Sequence, residues 1–329
     1  MLRGVDLFSG GGGSSWGAHL AGVTMVGAVD AWDIATSVYA DNFPDAKVIN
    51  TRLTIDTGPE IFGRMKKIDI LIGSPECTHH SVARGAAPRC EESRRSGWYM
   101  MPFIRGMGPR WIVLENVTGM RSWHGYEDLI QALRDEGYHL QIQALDAADF
   151  GVPQNRRRLF IMGDRKRQPG KIIPPKVKLK TAASILDAPH RWPAGPAFTE
   201  RRAEATVARI NRGIEALGQG KDFLIVYYST DKGGGWQPLN RPLRTLTTLD
   251  RFGLVRWVDG KPTLRMLQVP ELMRAMGFKR DPETNRSFLL NYGSRRDQLK
   301  ILGNGVCPPV MKAIIEHLTA GEISLKAAA

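Results

Sequence analysis

Cysteine is scarce in this chain. Its 329 residues include three, Cys77, Cys90 and Cys307, and no two stand at CxxC spacing. That argues against a disulfide scaffold or a cysteine-built metal site and leaves room for a single reactive thiol. Long hydrophobic runs are lacking too. No stretch of about 18 apolar residues occurs, so a helical membrane span is not expected. The opening MLRGVDLFSG also lacks the charged-then-apolar pattern of a secretory signal. A cytoplasmic protein with no membrane segment is the expectation.

Acidic residues are in deficit, with 33 Asp and Glu against 46 Lys and Arg, a formal net charge of +13. The excess is uneven. Residues 156–221 hold 16 Lys and Arg against 5 Asp and Glu. A diffuse excess reads as solvated surface, whereas concentration in one segment is the footprint of a polyanion. An anionic membrane fits less well, because no long amphipathic helix falls in that window.

Length suggests two structural units. Over residues 1–163, short apolar segments alternate with helical patterns. LRGVDLF, VTMVGAVD, KVIN, IDILIG and WIVLEN read as strands; 33–42 and 124–136 read as helices. Such alternation implies a parallel sheet covered on both faces. YHLQIQAL and RRLFIMG add two strands. From Asp164 the composition turns to Pro, Lys and Arg, which places a domain boundary near 164–180. The organisation expected is 1–164, then a basic unit at 165–260, then 261–329 with helices at 269–278 and 309–319.

Four constellations carry chemistry. Asp6, Phe8, Gly10, Gly12 and Gly13 close the first strand in a glycine-rich turn, and Asp30 closes the second. On their own these fit a nucleotide-type ligand, a dinucleotide fold or a plain tight turn. Pro75-Glu76-Cys77-Thr78-His79-His80-Ser81 follows the strand IDILIG, where α/β enzymes place ligands. The polar setting favours a reactive Cys77 over a small buried thiol. Adjacent histidines rarely converge on one ion, and no metal site is expected. Glu115 closes the next strand as a candidate acid or hydrogen-bond clamp. In GVPQNRRR, alternation puts Gln154, Arg156 and Arg158 on one side of a strand.

In this order the segments resemble the C5-cytosine DNA methyltransferase family. The resemblance rests on DLFSGGGG at 6–13, the Pro-Cys-type loop at 75–81, ENV at 115–117 and GVPQNRRR at 151–158. It continues through RPLRTLT at 241–247, RMLQVPELMRAMGF at 265–278 and GNGVCPP at 303–309. It implies a Rossmann-like α/β fold with a mixed seven-stranded sheet and a smaller basic target-recognition domain. It further implies S-adenosylmethionine as cofactor, held by Phe8, Gly10, Gly12, Gly13, Asp30, Trp32, Pro75 and Asn304. Catalysis would fall to Cys77, Glu115, Arg156 and Arg158, acting on a cytosine flipped out of double-stranded DNA. Arg158 would hold O2, with Arg156 near Cys77 or a phosphate. Ser81, Arg84, Gln154 and Arg241 would contact DNA, with Arg89, Arg94 and Arg95 suited to its backbone. A cytoplasmic monomer, bacterial or phage-encoded, is the expectation, and a cognate restriction endonuclease in the same system is a candidate partner that the sequence neither requires nor excludes.

Two departures stand out. The family usually has Pro directly before Cys; here Glu76 intervenes, and a carboxylate beside a thiol disfavours the thiolate. VINTRLTID also lacks the usual Asp at the adenine position. One branch of the family acts on transfer RNA, but the large basic segment favours DNA. A catalytically silent DNA-binding relic is argued against by Cys77, Glu115, Gln154, Arg156 and Arg158 all being present.

Overall fold

The computed structural model describes residues 1–76, 90–228, 233–320 and 322. Its larger sheet contains β1 (Leu2–Leu7), β2 (Val23–Asp30), β3 (Lys47–Asn50), β4 (Ile70–Gly73), β5 (Trp111–Asn116), β6 (His139–Asp146) and β7 (Arg157–Asp164). The spatial order is β3-β2-β1-β4-β5-β7-β6. Neighbours pair in parallel except at β7, which runs antiparallel to β5 and β6. This is the mixed seven-stranded α/β sheet that the family resemblance implies, and the antiparallel β7 is what strand–helix alternation alone did not foresee.

Both faces of the sheet are buried, and strand periodicity sorts the side chains between them. Val5, Leu7, Leu71, Ile112, Leu114, Leu159 and Ile161 enter one apolar cluster. Ile70, Ile72, Trp111, Val113, Phe160 and Met162 enter the other. Helices α1 (Gly13–His19) and α2 (Asp33–Asn42) join the second cluster through Trp16, Val38 and Tyr39. The short α3 (Glu91–Arg94) leads towards α4 (Met101–Met107) and α5 (Tyr126–Asp135), which cover the first. In α5, Tyr126, Leu129, Ile130 and Leu133 are the buried positions, spaced as one helical stripe.

A second, antiparallel sheet has the order β10-β9-β11-β12-β8. Its strands are β8 (Gly195–Pro196), β9 (Phe223–Val226), β10 (Trp236–Pro238), β11 (Phe252–Val258) and β12 (Lys261–Met266), with α6 (Glu204–Leu217) packed on it. Ile210, Phe223, Ile225, Val255 and Leu264 form a small core of their own. The chain then returns through α7 (Val269–Ala275), α8 (Arg295–Asn304) and α9 (Pro308–Leu318). Residues Val306 to Leu318 rejoin the large core beside Trp16.

The basic window divides between two places. Arg165 lies over the Tyr138 ring, and Arg167 donates to the carbonyls of Leu318 and Ala320. Ile172 exchanges hydrogen bonds with the Gln143 side chain, so the chain after β7 runs along edge strand β6. The small sheet takes shape only from Gly195 and continues through β12, past residue 260.

A buried ion pair locks the small sheet to the returning helices. Arg265 on β12 gives two bonds to Glu271 on α7, at 2.7 and 2.6 Å. Glu271 also accepts from the backbone N–H of Gln268 and of Asp187. Burial pushes this carboxyl up, but the bonds from Arg265, Gln268 and Asp187 outweigh it and hold it below the usual range. A lowered carboxyl contributes stability at neutral pH that is lost as pH falls through its folded value. Glu271→Ala strands a buried guanidinium and should cost about 3–5 kcal/mol in urea unfolding at pH 7. The deficit should narrow in acid, where wild type loses the same pair.

Candidate functional site

The carboxyl ends of β1, β2, β4 and β5 open into one cavity of about 460 Å³. Strands that run parallel deliver their following loops to the same edge, so residues far apart in sequence converge there. Phe8, Gly10, Gly13, Asp30, Trp32, Pro75 and Asn304 line it, together with Glu115 and Arg158.

The turn after β1 is held in an uncommon backbone conformation. Phe8 has φ 55°, Gly10 51° and Gly12 95°. For Phe8, a bulky residue, that region is strained, and the surroundings must enforce it. They do so through Ser9 N–H to the Val29 carbonyl and Gly12 N–H to the Ser9 carbonyl, both 3.0 Å. Asp30 adds the key bond, accepting from Gly10 N–H at 2.8 Å and from Trp32 N–H at 2.9 Å. Burial raises the Asp30 carboxyl, against these N–H bonds and the Lys300 charge. Lys300 lies 4.0 Å above the Trp32 ring.

This wall fits an adenosyl cofactor. A Cβ on Gly10 would meet nothing within 4 Å, so the backbone there is open to a ligand's close approach. Asp30 is a carboxylate beside that opening, of the kind that binds ribose hydroxyls. Phe8 and Trp32 offer aromatic surface. Gly12 differs from its expected role, since it does not line the cavity. A Cβ there would press on Phe43 and Tyr39 at 3.0 Å, so this glycine shapes the turn from behind.

Elsewhere in the cavity lining Glu115 is 5% exposed, and its carboxylate lies 3.2 Å from the Arg158 guanidinium. Burial raises the Glu115 carboxyl, opposed by the charges of Arg158 and Arg156. The pair presents an acidic acceptor and a fixed cation side by side. Pro75 is tied to the same part of the lining, because Asn116 donates to its carbonyl at 3.2 Å.

Two expectations from GVPQNRRR are corrected. Gln154 is fully buried, donates to the Ala275 carbonyl and accepts from Leu246 N–H, so it is internal and not a DNA-facing side chain. Arg156 is 2% exposed and donates to the carbonyls of Leu246, Gly303 and Gly305. A phosphate needs an accessible guanidinium, and this one is committed to joining chain segments. Arg241 is exposed, while Arg94 is paired with Glu91 at 3.5 Å. Cys77, Ser81, Arg84 and Arg89 lie outside the described residues. Of the other thiols, Cys307 is buried, and burial pushes it up to about 11. Cys90 is exposed and lines the cavity.

The cavity takes in Glu76 from the loop after IDILIG, and also Arg52, Ser93, Tyr99 and Lys300, which the sequence did not single out. Arg52 could have been found as the residue closing the third βα unit. Ser93 and Lys300 carry no local signal and arrive through tertiary packing.

Behind the glycine turn sits a further acid. Asp6 is fully buried and accepts from Ser14 and Ser15 hydroxyls at 2.9 and 2.7 Å. The Ser15 and Tyr39 hydroxyls lie 2.8 Å apart. Desolvation, only partly offset by the serines, raises Asp6 to about 7. A carboxyl raised on folding favours the folded state in acid, and that contribution is lost as pH rises through the folded value. Asp6→Asn removes the titration at nearly constant volume. Between pH 4 and 7 the variant should therefore lose less stability than wild type, as read by urea unfolding across that range.

Comparison with known proteins matches this geometry. Residues 2–320 fit the family model described as C-5 cytosine-specific DNA methylase. The chain is 34% identical over 197 residues to Type II methyltransferase M.XorII of Xanthomonas oryzae pv. oryzae, covering 56% of this chain and 46% of that protein. It is 32% identical over 175 residues to M.HindV of Haemophilus influenzae, covering 53% and 56%. These alignments thus span about half the length of those relatives. M1.HphI of Haemophilus parahaemolyticus aligns at 25% identity over 95% of this chain and 85% of its own. Among solved structures, a putative DNA modification methyltransferase encoded within an E. coli prophage superposes with a TM-score of 0.67 at 19% identity, covering 97% and 98% of the two chains. Entamoeba histolytica methyltransferase EhMeth gives 0.66 at 15% identity over 97% and 98%, a likeness of fold. The chain belongs to the C-5 cytosine-specific DNA methylase family.

Proposed function

We propose that this protein is a DNA cytosine-5 methyltransferase, using S-adenosylmethionine and Cys77 as covalent nucleophile. The observation that carries the reading is one cavity with two unlike walls. The Phe8–Gly10–Asp30–Trp32 wall suits an adenosyl group, and the Glu115–Arg158 pair suits a planar polar base. Pro75 and Glu76, immediately ahead of Cys77 in sequence, line the same cavity.

Carbon 5 of cytosine is a poor nucleophile, and the chain's residues are chosen to change that. The Cys77 thiolate adds to carbon 6, breaking the 5,6 double bond and leaving an enamine whose carbon 5 is electron-rich. Glu115 hydrogen-bonds N3 and the exocyclic amine, and its raised carboxyl suits it to sharing a proton where negative charge gathers. Arg158, fixed against Glu115, holds O2. The bound cofactor supplies an electrophilic methyl group. Loss of the carbon 5 proton with expulsion of Cys77 then restores the aromatic ring. A base stacked in a duplex cannot reach such a cavity, so the cytosine enters flipped.

The small antiparallel sheet and its loops, Arg241 included, serve as the DNA-facing unit, and phosphate contacts make binding salt-dependent. No helix among the described residues is long and apolar enough to cross a membrane. The protein acts as a monomer in the cytoplasm of a bacterial or phage-bearing host. The Type II names of its relatives support a cognate restriction endonuclease.

Expression in a host without cytosine methylation, followed by mapping of 5-methylcytosine, tests the activity directly. Cys77→Ser should abolish product while DNA binding survives, since a hydroxyl is far less ionised than a thiol. Glu115→Gln should lower kcat about 10²–10⁴-fold. DNA containing 5-fluorocytosine should trap wild type at Cys77, because fluorine cannot leave as a proton does. A crosslink at Cys90 or Cys307 would overturn the assignment.

A further inference from the structure

Glu76, the residue that departs from the family pattern, makes two directed contacts. Its Oε1 accepts from the Arg52 guanidinium at 3.2 Å, and its Oε2 accepts from the Ser93 hydroxyl at 2.6 Å. All three residues line the cavity. They come from three places: Arg52 just beyond β3, Glu76 just beyond β4, and Ser93 in α3. The Glu76–Ser93 bond joins positions 17 residues apart, on either side of the segment that carries Cys77. The Arg52 bond ties that junction to the loop leaving the third strand.

We propose that Glu76 is a positioning residue: one carboxylate bridges Arg52 and Ser93 across the donor side of the cavity and fixes the chain directly ahead of Cys77. A proline at this place would restrict the backbone covalently through its ring. Glu76 restricts it through two polar contacts. The consequence differs in kind, because a partly exposed ion pair weakens as salt screens it, while a ring does not. The Glu76 carboxylate is 44% exposed and Arg52 67%, so the pair is accessible to salt. Arg52 also gives the carboxylate a cationic partner, which lessens the burden a bare negative charge would place on a neighbouring thiolate.

The inference rests on the methyltransferase reading, since it takes the cavity to be the donor site. It is tested by a double-mutant cycle on Arg52 and Glu76, read first as the Kd of S-adenosylhomocysteine by calorimetry. Glu76→Gln keeps an acceptor for Ser93 and loses the charge; Arg52→Ala loses the cation. Each should weaken binding about two- to five-fold, the range of an exposed pair. The double variant should bind no worse than either single one. At 1 M salt, where the screening length is about 3 Å, the difference between wild type and Glu76→Gln should vanish. Glu76→Pro should bind with a salt response flatter than wild type. Charge reversal, Arg52→Glu with Glu76→Arg, should recover affinity relative to Glu76→Arg alone. Additive losses, a Glu76→Gln deficit that persists at high salt, or variants equal to wild type would each overturn the bridge. If wild type binds S-adenosylhomocysteine and methylates DNA while the cycle shows no coupling, the bridge alone fails. If wild type does neither, the function proposed for the cavity fails and takes the bridge with it.

Discussion

The Arg156 guanidinium is where this structure is tied together. Its side chain leaves β7's approach and reaches three carbonyls, those of Leu246, Gly303 and Gly305. These belong to the loop between β10 and β11 of the small sheet and to the end of α8, some 90 to 149 residues away along the chain. A buried guanidinium must satisfy its donors or lose several kcal/mol, so each segment is obliged to stay where its carbonyl is needed. Gly303 is packed against Thr247, with a hypothetical Cβ only 2.4 Å from that residue's backbone. Asn304, Gly305 and Val306 consequently form part of the cavity wall. The cavity lining therefore depends on residues 304–306 as much as on the first strand.

That arrangement separates two jobs within one short run. Arg156 and Arg158 are two positions apart, yet the first is interior bracing and the second faces the cavity beside Glu115. Gln154 shares the bracing, linking Leu246 to Ala275. The chemistry of the Glu115–Arg158 pair benefits from this division. A carboxyl raised by burial, next to a cation that resists full neutralisation, remains where a base edge could meet it. Arg156, although braced in the interior, still adds its charge to that of Arg158 in opposing the effect of burial on Glu115.

The charge distribution follows the same logic of space over sequence. Residues 156–221 are strongly basic as a string, but the string crosses several environments. Arg158 belongs to the cavity, while Arg165 and Arg167 engage Tyr138 and the end of α9 beyond the far end of β7. At about 3.3 Å per residue, those two ends of β7 are on the order of 20 Å apart. A linear count of charge is thus a poor measure of a nucleic-acid surface, although the net excess of positive charge stands.

Local pattern encodes the strands of the large sheet, because strand period and flanking glycines or charges mark burial residue by residue. KVIN and WIVLEN form strands with the bounds read from their residues, and VTMVGAVD does the same. It also determined which residues would close those strands at the cavity, since parallel strands deliver Phe8, Asp30, Pro75 and Glu115 to one edge whatever the packing details. Most of the small sheet was not legible, because β8, β9 and β10 are short, and β8 and β9 pair antiparallel with strands distant in sequence, whereas β11 and β12 meet across Asp259-Gly260, a local hairpin signal left unused in reading the sequence. Long-range packing turns Gln154 and Arg156 inward and sets Gly12 behind the turn. It also brings Ser93 and Lys300 to a cavity with which they share no motif. Alternation along a strand says which side a residue takes, but not whether that side meets solvent, ligand or another segment of the same chain. That depends on what the distant end of the chain packs against it, a long-range fact that a local pattern cannot hold.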